Sequence, residues 1–146
     1  MNAIIIDDEI NARESLYFLV NKHCPDINIL NTGVSVEEGA QLIQHLKPDI
    51  VFLDIEMPDG TGFDLLTQLK EINFQFIFVT AFNNYAVRAF QFSAVDYLLK
   101  PVNPTLLVQA VEKLKQITPI HSPAIQLKVL EENIEKIEKI IIKTEN

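Results

Sequence analysis

The sequence is poor in the residues that several classes of protein require. Its 146 residues contain one cysteine, Cys24, so an internal disulfide framework is excluded and a reducing compartment is expected. Twelve lysine and arginine residues stand against 20 aspartate and glutamate residues, a formal net charge of −8. Binding to a nucleic-acid backbone needs clustered positive charge, so this chain is not expected to contain such a surface.

Long apolar segments are missing as well. The uninterrupted apolar runs are only a few residues long, and Met1 is followed almost at once by strand-forming residues rather than by a basic leader. The sequence therefore predicts neither a signal peptide nor a transmembrane helix, and we expect a cytoplasmic protein without a membrane partner. The apolar content of 48% is nevertheless sufficient for a packed core.

Short β-branched runs alternate along the chain with segments of helical periodicity. This alternation is typical of βαβ units and predicts an α/β fold whose parallel sheet is buried on both faces. The predicted strands lie near residues 3–7, 27–31, 50–54, 76–80 and 95–99. The predicted helices lie near residues 10–23, 36–46, 63–71, 84–92 and 104–117.

Polar residues follow directly where the predicted strands end. Asp7 and Asp8 follow the first strand, and Asp54 ends the third. Thr80 ends the fourth strand, and Lys100 follows the fifth. In doubly wound sheets, ligands bind at the carboxyl ends of the strands. We therefore expect these five side chains to converge in one pocket, although they are scattered over the whole chain.

Three carboxylates beside one lysine favour a hard divalent cation, and Mg²⁺ in particular, which takes oxygen ligands and often bridges to a phosphoryl group. Zinc is disfavoured because the histidines are scattered and form no cluster with the single cysteine. A dinucleotide-binding module is poorly supported, since no Gly-x-Gly-x-x-Gly motif follows the first strand.

Taken singly, each of these residues has an ordinary structural explanation. Asp7 or Asp8 could cap the first helix, and Asp54 or Thr80 could be a turn residue. Lys100 could be a surface charge. Their joint placement at strand ends that line one edge of the sheet is what favours a functional site.

In this order and spacing the residues resemble the receiver domain of bacterial two-component response regulators, over residues 1–118. The resemblance rests on Asp7-Asp8, on Asp54 with Met57-Pro58-Asp59-Gly60 after it, on Thr80-Ala81 and on Lys100-Pro101. It implies a flavodoxin-like doubly wound sheet of five parallel strands in the order 2-1-3-4-5, with five helices. A C-terminal helical extension would follow this domain.

The resemblance also implies a role for each site residue. Asp54 would be the phosphoacceptor, receiving its phosphoryl group from the phosphohistidine of a sensor histidine kinase. Asp8 and Asp54 would ligate Mg²⁺ directly, Asp7 would contact it mainly through water, and the backbone carbonyl of Glu56 would supply a further oxygen. The ammonium group of Lys100 would neutralise charge on the phosphoryl oxygens.

Two residues would form a switch. Thr80 would donate its hydroxyl proton to the new phosphoryl group, and Tyr97 would turn inward from an outward rotamer into the vacated space. Tyr97 also has an ordinary explanation, as a half-buried core aromatic. The domain would catalyse only its own phosphorylation and slow dephosphorylation, and would not be an enzyme in the usual sense. The alternatives are an Mg²⁺-dependent phosphohydrolase with an aspartate nucleophile and a receiver-like interaction module that takes no phosphate.

Residues 79–101 are similar to the receivers attached to LytTR-type DNA-binding domains, the LytR/AlgR-like regulators. Such a receiver would form a phosphorylation-dependent homodimer, and Val87, Arg88 and Gln91 should point outward from the fourth helix as candidate contacts. A solvated helix face is the alternative for each of them. DNA would be a partner only through an effector domain that this chain does not contain.

Residues 119–146 are interpreted as a linker and an amphipathic helix that leads into that effector domain. Apolar residues recur there at three- and four-residue steps, at Leu127, Leu130, Ile134, Ile137 and Ile141. This stripe could belong to a signalling helix or to a short dimerising coil. It could also pack against its own receiver domain, since so short a helix is marginally stable alone.

Overall fold

The computed structural model of the protein describes residues 1–117 and, further along the chain, Lys136, Ile137 and Ile140. The described strands are β1 (Asn2–Ile6), β2 (Asn28–Gly33), β3 (Ile50–Leu53), β4 (Glu56–Met57), β5 (Gly60–Thr61), β6 (Gln75–Thr80) and β7 (Asp96–Leu99). The helices are α1 (Ile10–His23), α2 (Val36–Leu46), α3 (Gly62–Gln68), α4 (Ala86–Gln91) and α5 (Pro104–Gln116).

Five of the strands form one parallel sheet in the order β2-β1-β3-β6-β7. Counted along the chain without the short β4 and β5, this is the order 2-1-3-4-5, so the predicted fold class is confirmed. The bounds of α1 and α2 agree with the prediction, whereas α3 ends at Gln68 because Leu69 already has extended backbone.

The loop after β3 contains a short hairpin. In it β4 and β5 pair antiparallel, with Glu56 opposite Thr61. Gly60 makes the turn possible, because its φ of 149° is in a region that residues with a side chain rarely adopt. The hairpin leads directly into α3.

Side chains cap the helices that border the site. The hydroxyl oxygen of Ser35 accepts a hydrogen bond from the Glu38 backbone N–H at the start of α2. The complete capping box is at α3 instead, where Thr61 and Asp64 each accept a hydrogen bond from the other's backbone N–H. Asn103 caps α5.

The two faces of the sheet carry different cores. Against α1 and α5 the core is mainly aliphatic, and Phe52 is its one aromatic ring among the described residues. Against α2, α3 and α4 it contains the buried aromatic residues Phe63, Phe76, Phe78, Phe90 and Tyr97. Both faces are covered, which explains why the central strands β1, β3 and β6 consist of almost continuous apolar residues.

Beyond residue 117, Lys136, Ile137 and Ile140 are helical, and Ile140 is buried in the core on the α2–α4 side. The other four members of the predicted apolar stripe, and the predicted boundary at residue 118, lie outside the described residues. In the part of the chain that the structure describes, none of the helices combines the length and the apolar character needed to cross a bilayer.

Candidate functional site

The carboxyl ends of the central strands lie side by side, and backbone hydrogen bonds extend their alignment by one residue. The Asp54 N–H donates to the carbonyl of Ile6 at 2.9 Å, and the Lys100 N–H donates to the carbonyl of Thr80 at 2.8 Å. The Asp7 N–H donates to the last residue of β2 at 3.0 Å. The residues that follow the strands are therefore held at one edge of the sheet.

Three carboxylates and one ammonium group meet at this edge. Asp7, Asp8 and Asp54 each offer a carboxylate oxygen, and these oxygens lie within 4.8 Å of one another. Asp7 and Asp54 are only 4% and 5% exposed, whereas Asp8 faces solvent. The Lys100 Nζ lies 2.7 Å from Asp7 Oδ2 and 3.0 Å from Asp54 Oδ2. We call these four residues the acidic cluster.

The ionisation of the cluster reflects its burial. Burial raises the pKa of the Asp7 carboxyl, and the hydrogen bonds from Lys100 and from the Glu9 backbone only partly oppose this rise. Burial alone would lower the pKa of Lys100, but its hydrogen bonds to Asp7 and Asp54 outweigh that effect and the pKa is raised. Lys100 therefore remains an ammonium group, and one positive charge faces three carboxylates.

This donor set fits a hard divalent cation. Carboxylate oxygens are the ligands that Mg²⁺ prefers, and the shared space between three of them suits one small ion. The predicted fourth ligand, the backbone carbonyl of Glu56, belongs to β4 and lies two residues beyond Asp54. The role of this carbonyl as a metal ligand stays a prediction. The side chain of Glu56 accepts a hydrogen bond from the Tyr85 hydroxyl at 3.3 Å.

Thr80 and Tyr97 are connected through a single residue. Thr80 is fully buried at the end of β6, and its Oγ1 accepts a hydrogen bond from the Phe82 N–H at 3.4 Å. The Tyr97 hydroxyl donates a hydrogen bond to the carbonyl of the same Phe82. Burial raises the pKa of Tyr97, so the hydroxyl keeps the proton that it donates. The two predicted switch residues are therefore hydrogen-bonded to the same residue, Thr80 to the N–H of Phe82 and Tyr97 to its carbonyl.

The starting position expected for Tyr97 differs from the observed one. An outward rotamer was predicted, but the side chain is only 1% exposed and its ring lies 6.4 Å from that of Phe78. The inward position is favourable because the ring joins the aromatic core and the hydroxyl finds a backbone acceptor.

Sequence reasoning missed two residues that shape the acidic cluster. Arg13 Nη1 donates a hydrogen bond to the backbone carbonyl of Asp7 at 2.8 Å, which ties α1 to the end of β1. A Cβ atom on Gly62 would lie 2.6 Å from the backbone carbonyl of Asp54, so this close approach requires glycine. No pattern in the sequence distinguishes Gly62 from an ordinary turn residue, and none singles out Arg13.

Asp59 has a structural role in the loop after β3. Its two carboxylate oxygens accept hydrogen bonds from the backbone N–H groups of Val36 and Glu37, at 2.9 and 3.0 Å. These bonds to the N-terminus of α2 lower the pKa of Asp59. The loop that carries the hairpin is thereby tied to the helix beside it.

The residues predicted to point outward from α4 are exposed. Val87, Arg88 and Gln91 all face solvent. Arg88 is nevertheless anchored, because its guanidinium group lies 4.3 Å from the centre of the Phe63 ring in a cation–π contact.

The fold and the acidic cluster define a flavodoxin-like α/β domain whose polar site lies at the carboxyl edge of its sheet. The response regulator receiver domain family matches residues 3–112. The chain belongs to this family. Receiver domains of response regulators are typically signalling parts of regulators rather than catalytic enzymes, and they generally bind Mg²⁺ at an acidic pocket.

Several characterised relatives are similar to the chain. The sensory transduction protein LytT of Enterococcus faecalis is 42% identical over 116 residues, covering 77% of this chain and 47% of the relative. LytR of Staphylococcus saprophyticus is 37% identical over 80% of this chain and 46% of its own length. The transcriptional regulatory protein BtsR of Shigella flexneri is 37% identical, with 80% and 48% covered. The chain thus spans about half the length of these relatives.

Solved structures agree with the fold. The response regulatory domain of protein mrkE from Klebsiella pneumoniae has a TM-score of 0.72 and 31% identity, covering 80% of this chain and 96% of that one. A DNA-binding response regulator of the LuxR family from Staphylococcus aureus has a TM-score of 0.70 and 31% identity, with 77% and 97% covered. The relatives named LytT and LytR confirm the predicted resemblance to LytTR-type regulators.

Proposed function

We propose that this chain is a phosphoacceptor receiver in which Asp54 takes a phosphoryl group from the phosphohistidine of a sensor histidine kinase. The observation that carries the proposal is the Lys100 Nζ between Asp7 and Asp54, beside a third carboxylate, in a member of the receiver family. Asp7, Asp8, Asp54 and the Glu56 carbonyl would hold Mg²⁺. When bound, this ion offsets the carboxylate charge and polarises the phosphoryl oxygens.

The contacts of Asp54 orient it for nucleophilic attack. Its Oδ1 accepts a hydrogen bond from the Ile55 N–H at 2.7 Å, and its Oδ2 is paired with Lys100. A carboxylate oxygen of Asp54 forms the new O–P bond as the P–N bond to the kinase histidine breaks. Lys100 remains beside that oxygen and stabilises the negative charge on the transferred group.

The phosphoryl group would be sensed by Thr80. Its Oγ1 accepts a hydrogen bond from Phe82, so its own proton can be donated to a phosphoryl oxygen on Asp54. A movement of Thr80 pulls on Phe82, which is also the acceptor for Tyr97. Phosphorylation would thereby shift a pre-existing equilibrium on the side of α4 and β7.

The output of this switch would be gene regulation. Relatives of which this chain matches about half the length are named sensory transduction or transcriptional regulatory proteins. We therefore take residues 1–118 as the receiver of a cytoplasmic transcription regulator and residues 119–146 as its connection to a DNA-binding effector domain. Phosphorylation would promote a homodimer through the exposed Val87, Arg88 and Gln91 of α4.

The test is the intact mass of the chain after incubation with acetyl phosphate, with and without Mg²⁺. We expect an Mg²⁺-dependent gain of one phosphoryl group in the wild type and its loss in Asp54→Asn. Asp59→Asn is the matched control, because that carboxylate lies in the following loop and bonds to α2 instead of Lys100. It should be phosphorylated like the wild type.

Two other results would contradict the proposal, and each would favour one of the alternative functions. Sustained turnover of a small phosphoester would indicate the phosphohydrolase alternative. A chain that gains no mass from acetyl phosphate, or from a phosphorylated histidine kinase, would be an interaction module that works without phosphate.

A further inference from the structure

β7 lies at one edge of the sheet, where it pairs with β6 on one side only in the described part of the chain. An edge strand presents backbone groups that can pair with another chain, and proteins commonly cover such edges. The three described residues beyond residue 117 are helical, and Lys136 among them forms an ion pair with Asp96 of this strand. We call the part of the chain that contains the three described residues Lys136, Ile137 and Ile140 the docked segment.

Its first contact is with a buried carboxylate. Asp96, the first residue of β7, is only 1% exposed. Its Oδ2 lies 3.4 Å from Lys113 Nζ of α5, and its Oδ1 accepts a hydrogen bond from the Tyr97 N–H at 2.8 Å. Lys136 of the docked segment forms an ion pair with the same Oδ1. The segment therefore reaches a charge that the receiver has buried.

Its second contact is apolar. Ile140 is 7% exposed and belongs to the core on the α2–α4 side, and Ile137 packs against that core. A cleft of about 320 Å³ lies beside Ile140. Together with Lys136 and Ile140, the cleft is lined by Tyr97 and Leu99 of β7, by Lys100 and Pro101 in the loop that follows, and by Leu106 of α5.

We propose that the docked segment is bound in cis at the β7 edge as a reversible ligand of the receiver, and that its affinity depends on the position of Tyr97. The inward Tyr97 ring leaves the cleft open beside Ile140. An outward ring would enter that cleft and compete with Ile140 for the same space. Docking therefore favours the inward ring, and by linkage the inward ring favours docking.

The contacts are suited to reversible binding. When Lys136 leaves, Asp96 keeps Lys113 and the Tyr97 N–H as partners. Dissociation of the docked segment therefore does not leave the buried Asp96 carboxylate unpaired. The receiver can therefore exist in both forms. Docking itself does not require phosphorylation of Asp54. Among the described residues, Tyr97, Phe82 and Thr80 connect it to that site, and Lys100 of the acidic cluster also lines the cleft.

The chain length supports an intramolecular occupant. Residues 118–135 connect α5 to the docked segment, and 18 residues can span up to about 60 Å. Such a connection gives a high effective concentration, which favours the segment of the same chain over that of a second copy.

The experiment is amide hydrogen exchange of the full chain, followed in residues 136–140. We expect Ile140→Asp and Lys136→Met to accelerate exchange in this segment by roughly tenfold or more, because each removes one of its contacts. Tyr97→Phe should accelerate it by roughly threefold, since the ring loses the hydroxyl that holds it inward. Lys22→Met on α1 is the matched control and should leave the segment unchanged.

Exchange of β1 and β3 in the same samples shows whether each variant remains folded. Docking is refuted if a folded Ile140→Asp chain exchanges at the wild-type rate in residues 136–140. The dependence on Tyr97 is refuted if Tyr97→Phe leaves that rate unchanged while Ile140→Asp raises it. Protection that increases when the protein is concentrated tenfold would assign the docked segment to a second copy and overturn binding in cis. None of these outcomes depends on whether Asp54 is phosphorylated.

Discussion

The protein buries carboxylates in two places, and the two places differ in their balance of charge. In the acidic cluster, Asp7 and Asp54 share Lys100 with the exposed Asp8 beside them. At the start of β7 the ratio is reversed, because Asp96 is paired with both Lys113 and Lys136. One site has carboxylates in excess, and the other has lysines in excess.

Burial does not separate the two sites, since Asp7, Asp54 and Asp96 are 4%, 5% and 1% exposed. What separates them is whether the chain itself supplies enough positive charge. Asp96 is satisfied by the protein and can serve as an anchor. The protein does not supply enough positive charge to balance the acidic cluster, so the cluster favours binding of a cation and an electrophile from solution. Charge balance is therefore a better guide than burial to which carboxylates bind ligands.

The largest expected effect comes from removing the shared lysine. Lys100→Met leaves two buried carboxylates without their ion pair, and in EDTA it should lower the free energy of unfolding by about 3 kcal/mol, the low end for a broken buried pair. Lys113→Met is the comparison variant, and it should cost less than about 1 kcal/mol because Asp96 keeps Lys136 and a backbone donor. Urea denaturation measures both. Equal losses of unfolding free energy in the two variants would contradict the proposed difference in charge balance between the two sites.

The second prediction concerns magnesium. Mg²⁺ at one hundred times its dissociation constant should raise the free energy of unfolding of the wild type by about 2.7 kcal/mol. Asp8→Asn should lose most of this gain, since it replaces a charged carboxylate ligand of the cluster by a neutral amide without touching the core. Lys113→Met should keep it. Urea titrations with Mg²⁺ and with EDTA provide the measurement, and stabilisation retained by Asp8→Asn would contradict the site.

A smaller effect is expected from the protonation of Asp7. Its folded pKa is raised above the usual 3.8, chiefly by burial, so folding disfavours the charged form. In EDTA near neutral pH, Asp7→Asn should therefore be more stable than the wild type. The difference should shrink as the pH falls through the raised pKa towards 3.8, where the wild-type carboxyl also becomes neutral. Urea midpoints across this pH range would show it, and a difference that grows in acid would contradict it.

The smallest effect belongs to Asp59, an exposed carboxylate balanced by backbone N–H groups instead of lysine. Its pKa is lowered below 3.8 by its hydrogen bonds to Val36 and Glu37. Its contribution to stability is thus present above 3.8 and is lost as the pH falls through the lowered value. Asp59→Asn should be slightly less stable than the wild type near neutral pH, and the two should converge in acid. Urea denaturation of both proteins near neutral pH and in acid is the measurement that checks this.

The sequence predicted most element bounds because strand and helix periodicity are local properties. The order of the strands in the sheet was predicted only through the resemblance to receiver domains. The sequence also pointed to the polar strand ends, since parallel strands bring their carboxyl ends to one edge. It did not reveal the β4–β5 hairpin, which depends on a pairing across the turn at Gly60. Nor did it reveal the need for glycine at position 62, which arises from the approach of the Asp54 carbonyl.

The inward position of Tyr97 was also out of reach of the sequence, because its acceptor is the backbone of Phe82, 15 residues away. The partner of Asp96 is still more distant, since Lys136 follows it by 40 residues. No local pattern links such positions.

The sequence by itself determined which residues form the strands, which helices separate them and which polar side chains end at the ligand-binding edge. Short-range periodicity and the geometry of a parallel sheet are enough for that. Only the tertiary structure decided how the charges are shared, with Lys100 between two carboxylates and Asp96 between two lysines. Pairing depends on distance and burial, and these are set by contacts between parts of the chain that are far apart in sequence.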